Sequence, residues 1–148
     1  MNYEIVNLEE KIVVGVTART GNNDPDCTKI IGGLWEEFMC KGVCTSLKNK
    51  ANEYCIGLYS DYNFDEMTYA VTVGAEVSEN ANPELSAKTI PAGKYAMFNV
   101  KGDVVTDVAN AWEKIWALPL ERTYIADFEE YLSNENGVAD VNIYVALK

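Results

Sequence analysis

Apolar positions along this chain fall into short runs with two distinct periods. Residues 11–18, KIVVGVTA, are β-branched and almost continuously apolar, the pattern of a buried strand. TGNNDPD (20–26) then supplies turn chemistry, with Asp24 and Asp26 as candidate helix caps beside Pro25. From Thr28 to about Cys40, Ile31, Leu34, Trp35 and Phe38 recur at helical spacing and predict a helix. Gly32 and Gly33 weaken that helix by ~1 kcal/mol each, so their presence implies close packing against something. YCIGLYSDY (54–62) and MTYAVTVGAEV (67–77), joined by the turn-prone DYNFDE, predict an antiparallel hairpin. SENANPELSA (78–87), with Pro83, reads as a linker. GKYAMFNVKG (93–102) predicts a further strand, and DVVTDVANAWEKIWALP (103–119) a helix stopped by Pro119. TYIADFEEYL (123–132) and DVNIYVALK (140–148) make a closing hairpin around SNENGVA.

The order strand–helix–strand–strand is thus written twice, and residues repeat along with elements. GLWEEF (33–38) matches NAWEKI (110–115), setting Trp35 against Trp112 and Glu36 against Glu113. YCIGLY (54–59) matches YIADFE (124–129), setting Tyr59 against Glu129. YAVTVGAEV and VNIYVALK close their respective halves. A sheet with one helix across it cannot bury both faces alone, so the halves are expected to join side by side. The predicted fold is α+β: duplicated units with pseudo-twofold symmetry, an antiparallel sheet of about eight strands, and two helices on one face. It is a single domain over 1–148, with repeats at about 1–78 and 86–148. A ligand cleft is expected where the repeats meet.

Charge and composition narrow the function. The formal net charge of −11, with 12 Lys and Arg in no dense run, argues against direct nucleic-acid binding. No apolar run approaches the ~20 residues that span a bilayer, so no membrane partner is expected. The charged N-terminus lacks a signal-peptide core, and the chain reads as cytoplasmic and complete as written. The absence of histidine excludes Ser-His-Asp and Cys-His catalysis. Cys27, Cys40, Cys44 and Cys55 do not form paired C-x-x-C arms; they read as reduced structural thiols. No metal and no cofactor are expected.

One stretch carries candidate chemistry. In ADFEEYL (126–132), alternation places Asp127, Glu129 and Tyr131 on one face, and Phe128, Glu130 and Leu132 on the other. Covering either face buries a carboxylate, which is costly without a partner. A lipophilic cation is such a partner, held by aromatic faces and one poorly hydrated carboxylate. Glu129 is the candidate charge, Glu130 reads as surface charge, and Asp127 is left ambiguous. Trp112 and Trp116 lie four apart on the second helix, where one at least is expected in the core. Tyr69, Phe98 and Tyr131 fit either core or site.

IPAGKYAMFNVKG, AWEKIWALPL, DFEEYL and NIYVAL, in that order, resemble the effector-binding domain shared by AraC-type regulators and DNA gyrase inhibitor-like proteins. The matching positions are Pro91, Gly93, Tyr95 and Ala96; Trp116, Leu118 and Pro119; and Phe128, Glu129 and Tyr131. The resemblance is strongest over 89–147 and implies a cleft binding hydrophobic, often cationic, small molecules. It implies Glu129 at the cleft base, Tyr144 in its lining, and Trp116 ahead of Trp112; Trp35 and Tyr59 follow by pseudo-symmetry. Many relatives carry a preceding helix-turn-helix domain, for which this chain leaves no room, so it reads as the stand-alone bacterial form. Two other functions stay open at this point. One is a hydrolase of reactive electrophilic natural products using Glu129; the other is a protein-interaction module directed at gyrase or a DNA-binding regulator.

Overall fold

A computed structural model describes residues 2–148; Met1, where the expected domain begins, lies outside them. The β-branched and alternating runs form eight strands: β1 (Glu4–Leu8), β2 (Lys11–Thr20), β3 (Cys55–Asn63), β4 (Thr68–Val77), β5 (Ser86–Ile90), β6 (Gly93–Asp103), β7 (Arg122–Glu135) and β8 (Val138–Leu147). The helical spacings form α1 (Cys27–Cys40) and α3 (Thr106–Trp116), with a single-turn α2 (Val43–Ser46) after Gly42 breaks the chain direction at φ 81°. All strands join one antiparallel sheet in the order β1-β6-β8-β7-β3-β4-β2-β5.

Read from the middle outward, that order is the same for each half: β3-β4-β2 on one side and β7-β8-β6 on the other. Aligning Tyr59 with Glu129, as the repeat does, makes Leu58 the mate of Phe128. Leu58 and Phe128 are directly paired across β3 and β7, so the local twofold axis passes between them. The flanking pairs Gly57↔Glu129 and Tyr59↔Asp127 are then exchanged by that axis.

The edge strands depart from the sequence expectation. β1 precedes β2 in the chain but pairs with β6, while β5 precedes β6 but pairs with β2. Each half thus lends its first strand to the other. Both strands have five residues with much of their surface exposed, so neither leaves an apolar signature. The stretch 78–87 is correspondingly not all linker, since β5 starts at Ser86.

Two cores lie under the helices, on one face of the sheet. Leu34 and Phe38 of α1 pack on Val14 and Val16 of β2 and on Val71 and Val73 of β4. Val108, Ala111 and Ile115 of α3 pack on Phe98 of β6 and on Val141 and Ile143 of β8. Each such burial contributes ~1.5–3 kcal/mol for a large side chain. Phe98 is therefore core beneath α3. On the opposite face, Val13, Ile56, Leu58, Tyr95, Phe128 and Tyr144 form a third core, with Val6 and Leu8 of β1 packed onto it. Tyr144 stacks on Phe128 there, with ring centroids 4.6 Å apart.

Glu130 shares that opposite face and is buried, where surface charge was expected. Burial raises its pKa, an effect that nearby Lys11 opposes. The glycine pair of α1 also differs from expectation, because a Cβ added at Gly32 or Gly33 would meet nothing within 4 Å. Close packing does not account for the pair. Gly33 is exposed, so Gly33→Ala is expected to stabilise the fold by about 1 kcal/mol in urea unfolding.

Candidate functional site

Between α1 and α3 the central strands β3 and β7 form the floor of a cleft of about 1110 Å³. The twofold axis crosses this floor, so each half contributes one helix wall and one floor strand. The two contributions differ in charge. Glu129 and Asp127 come from the second half, and their mates in the first half are Tyr59 and Gly57.

Glu129 is buried, 5% exposed, and receives neutral donors only. The Trp112 indole N–H donates to Oε2 at 2.6 Å, and the Tyr131 hydroxyl donates to Oε1 at 2.7 Å. The Tyr59 hydroxyl donates to Oε2 at a longer 3.4 Å. Burial pushes the Glu129 pKa up, while the three donors pull it down without cancelling the effect. The same burial, with Glu129 beside them, raises the hydroxyl pKa of Tyr59 and of Tyr131, keeping both as neutral donors.

Gly57, opposite Glu129, is part of this geometry. A Cβ there would stand 3.3 Å from the Trp35 ring and 3.4 Å from Glu129 Oε1, so its absence leaves room for both. Trp35 meets Tyr131 edge to face at 4.9 Å. The Tyr59 ring lies between Trp112 at 5.8 Å and Tyr69 at 5.5 Å, both edge-on. Trp116, 56% exposed, forms part of the rim.

Asp127 is the second buried carboxylate of β7, with none of its surface exposed. It is internally neutralised. Arg122 Nη2 pairs with Oδ2 at 2.7 Å, the Tyr62 hydroxyl donates to the same oxygen at 2.7 Å, and the Ala146 N–H donates to Oδ1 at 3.1 Å. A register shift between Arg122 and Asp127 brings these groups together. Among the described residues, no Lys or Arg forms an ion pair with Glu129.

Of the nine residues singled out from sequence, the cleft brings together Glu129, Tyr131, Tyr59, Trp35, Tyr69, Trp112 and Trp116. It does not include Phe98 or Tyr144, which lie in the cores already described. Trp112, ranked behind Trp116 from sequence, is the one whose indole bonds Glu129. Neither tryptophan is buried core. Sequence reading missed Tyr62, Phe64, Arg122 and Tyr124, all of which line the cleft. The signal for Tyr62 was masked by a bulge: the β3–β4 register shifts between Ser60 and Asn63, and Asp61 has φ 51°. Simple alternation puts Tyr62 on the face away from Tyr59.

Cys27, Cys40 and Cys55 also border the cleft, and all four cysteines are free. Burial pushes the Cys55 thiol up to about 11, so it is not a reactive thiolate. No group of metal-ligating side chains occurs among the described residues. No helix among them is long and apolar enough to cross a membrane.

A duplicated α+β sheet with a cleft on its twofold axis is the architecture of an effector-binding protein. More narrowly, the chain belongs to the integron-associated effector-binding protein family, whose model matches residues 4–147. Among solved structures, it is similar to an integron cassette protein of Vibrio cholerae, with 28% identity, a TM-score of 0.76, and coverage of 99% of this chain and 95% of that one. It is similar also to SAV2435, solved bound to tetraphenylphosphonium, at 19% identity and a TM-score of 0.83, covering 100% of this chain and 94% of that one. A Listeria innocua hydrolase shares the fold at 8% identity and a TM-score of 0.52, covering 99% of this chain and 91% of that one. A search of curated proteins returned no match.

Proposed function

We propose that this protein binds hydrophobic cations in the cleft, with Glu129 as their counter-ion. One contrast carries the reading. Of two buried carboxylates on the same face of β7, Asp127 has an internal cation in Arg122 and Glu129 has none. An uncompensated buried charge opposes folding, and a ligand cation removes that cost while resting on aromatic faces. Trp35, Tyr59, Trp112 and Tyr131 supply those faces around the carboxylate. The tetraphenylphosphonium held by SAV2435 is a ligand of this chemical type, a positive centre wrapped in aromatic rings. Both Glu129 oxygens already accept hydrogen bonds from protein donors, which fix the carboxylate as a counter-ion, so capture is preferred to hydrolysis. By this reading, a regulatory role is an outcome of ligand occupancy.

Fluorescence titration tests it, since Trp35, Trp112 and Trp116 all line the cleft. Tetraphenylphosphonium is expected to quench the emission saturably, and neutral triphenylphosphine oxide to do so only at much higher concentration. Equal affinity for the two would remove the counter-ion role.

A further inference from the structure

The fold alone does not call for Gly32. Glycine is the poorest helix former after proline, yet Gly32 sits in the interior of α1. A Cβ added there would meet nothing within 4 Å. Its backbone is not left-handed either, so no local geometry requires a glycine. What lies over Gly32 is the cleft, since the residue is exposed and belongs to the cleft lining. Gly33 is exposed too but lies outside that lining.

The repeat gives the position a counterpart. Setting Trp35 against Trp112 sets Gly32 against Ala109 and Met39 against Trp116. All six line the cleft, three from α1 and three from α3. Spacings of three and four residues put each trio in one row along its helix. Each row has two large side chains and, one turn toward the helix N-terminus, a position with a methyl group or nothing. The two walls thus carry matching notches, exchanged by the twofold axis between β3 and β7. The mate of Gly33 is Asn110, a larger residue that is also outside the lining. A small side chain therefore repeats only where the wall faces the cleft.

We infer that Gly32 and Ala109 set the width of the cleft, and so select cations with several bulky groups around the charge over single-ring cations. The inference rests on the cationic reading of Glu129 and adds the size class of the ligand. Rings radiating from one positive centre point in several directions, so they need room at the walls as well as on the floor. A single-ring cation reaches the carboxylate along the floor and leaves the notches empty. Trp35 and Trp112, one turn from Gly32 and Ala109, both stand at Glu129. A bulky ligand centred on that carboxylate therefore has its flanks against the notches. Filling the Gly32 notch removes only this lateral room, because leucine is the better helix former and displaces no protein atom at the first carbon. Crowding a bulky ligand by a few carbons resembles overpacking a core, an effect of about tenfold or more in affinity.

Two cations of equal charge test this by calorimetry, tetraphenylphosphonium and the single-ring benzyltrimethylammonium. Gly32→Leu and Ala109→Leu are each expected to weaken tetraphenylphosphonium by about tenfold or more and to leave benzyltrimethylammonium within about twofold. Gly33→Ala, outside the lining, should change neither affinity. Gly32→Leu should also melt at or above the wild-type temperature, which separates lost affinity from lost fold. Should the leucine variants not fold, Gly32→Ala takes their place, with tetraphenylphosphonium weakened about threefold. Unchanged tetraphenylphosphonium affinity in the folded wall variants overturns the inference, and so does an equal loss of both cations. Undiminished tetraphenylphosphonium binding to Glu129→Gln overturns the counter-ion reading instead.

Discussion

Glu129→Gln is expected to weaken tetraphenylphosphonium binding by at least about 2 kcal/mol, or ~30-fold, while leaving triphenylphosphine oxide within about twofold. The substitution keeps the size of the side chain, and its amide oxygen still accepts from Trp112 or Tyr131. What it removes is the charge, and a buried charge acts on the ligand through a poorly screened medium. Stability moves the other way. Because burial raises the pKa of Glu129 in the folded protein, its ionisation opposes folding above that raised value. That penalty grows as pH rises from the ordinary carboxylate range to the raised value, and it is absent below the ordinary range. Glu129→Gln is therefore expected to melt at or above the wild-type temperature at neutral pH, as a site held against the interest of stability would. A variant that lost both affinity and stability would point to a structural carboxylate.

The neighbouring carboxylate behaves in the opposite sense. Arg122→Met leaves Asp127 buried without its cation, and breaking such a pair from one side costs about 3–5 kcal/mol. Chemical denaturation should show that loss at neutral pH. Adding Asp127→Asn is expected to recover most of it, since the amide oxygen still accepts from the Ala146 N–H while the amide N–H donates to the Tyr62 hydroxyl oxygen. A double variant as unstable as the single one would mean that Arg122 contributes by packing rather than by charge. Two carboxylates on one strand are thus expected to give opposite signatures: one pairs with an internal cation, and the other, among the described residues, does not.

Much of this arrangement was legible in the sequence. Helical spacing gave α1 and α3, alternation put Glu129 and Tyr131 on one face, and the repeat paired Tyr59 with Glu129 across the axis. What stayed hidden has specific physical causes. β1 and β5 are short, exposed edge strands exchanged between halves, and exchange leaves no periodic trace. Tyr62 and the Arg122–Asp127 pair depend on irregular backbone, where Asp61 and Tyr124 take φ of 51° and 58° and alternation fails. Tyr144 and Phe98 are aromatic strand residues, and residue type alone does not separate a core ring from a cleft ring. Their register does: Tyr144 lies opposite Phe128 and Phe98 opposite Ile143, both fully buried. Gly57 was unremarked because its contribution is the absence of a side chain under Trp35 and Glu129.

The central claim is that a cation and a proton compete for Glu129, and the pH dependence of tetraphenylphosphonium affinity measures this most directly. Affinity of the wild type should be constant above the raised Glu129 pKa and should fall about tenfold per pH unit below it. Glu129→Gln, titrated in parallel, should show weak affinity that does not change with pH over the same range. A wild-type affinity independent of pH down to the ordinary carboxylate range, or a pH dependence retained by Glu129→Gln, would contradict the account.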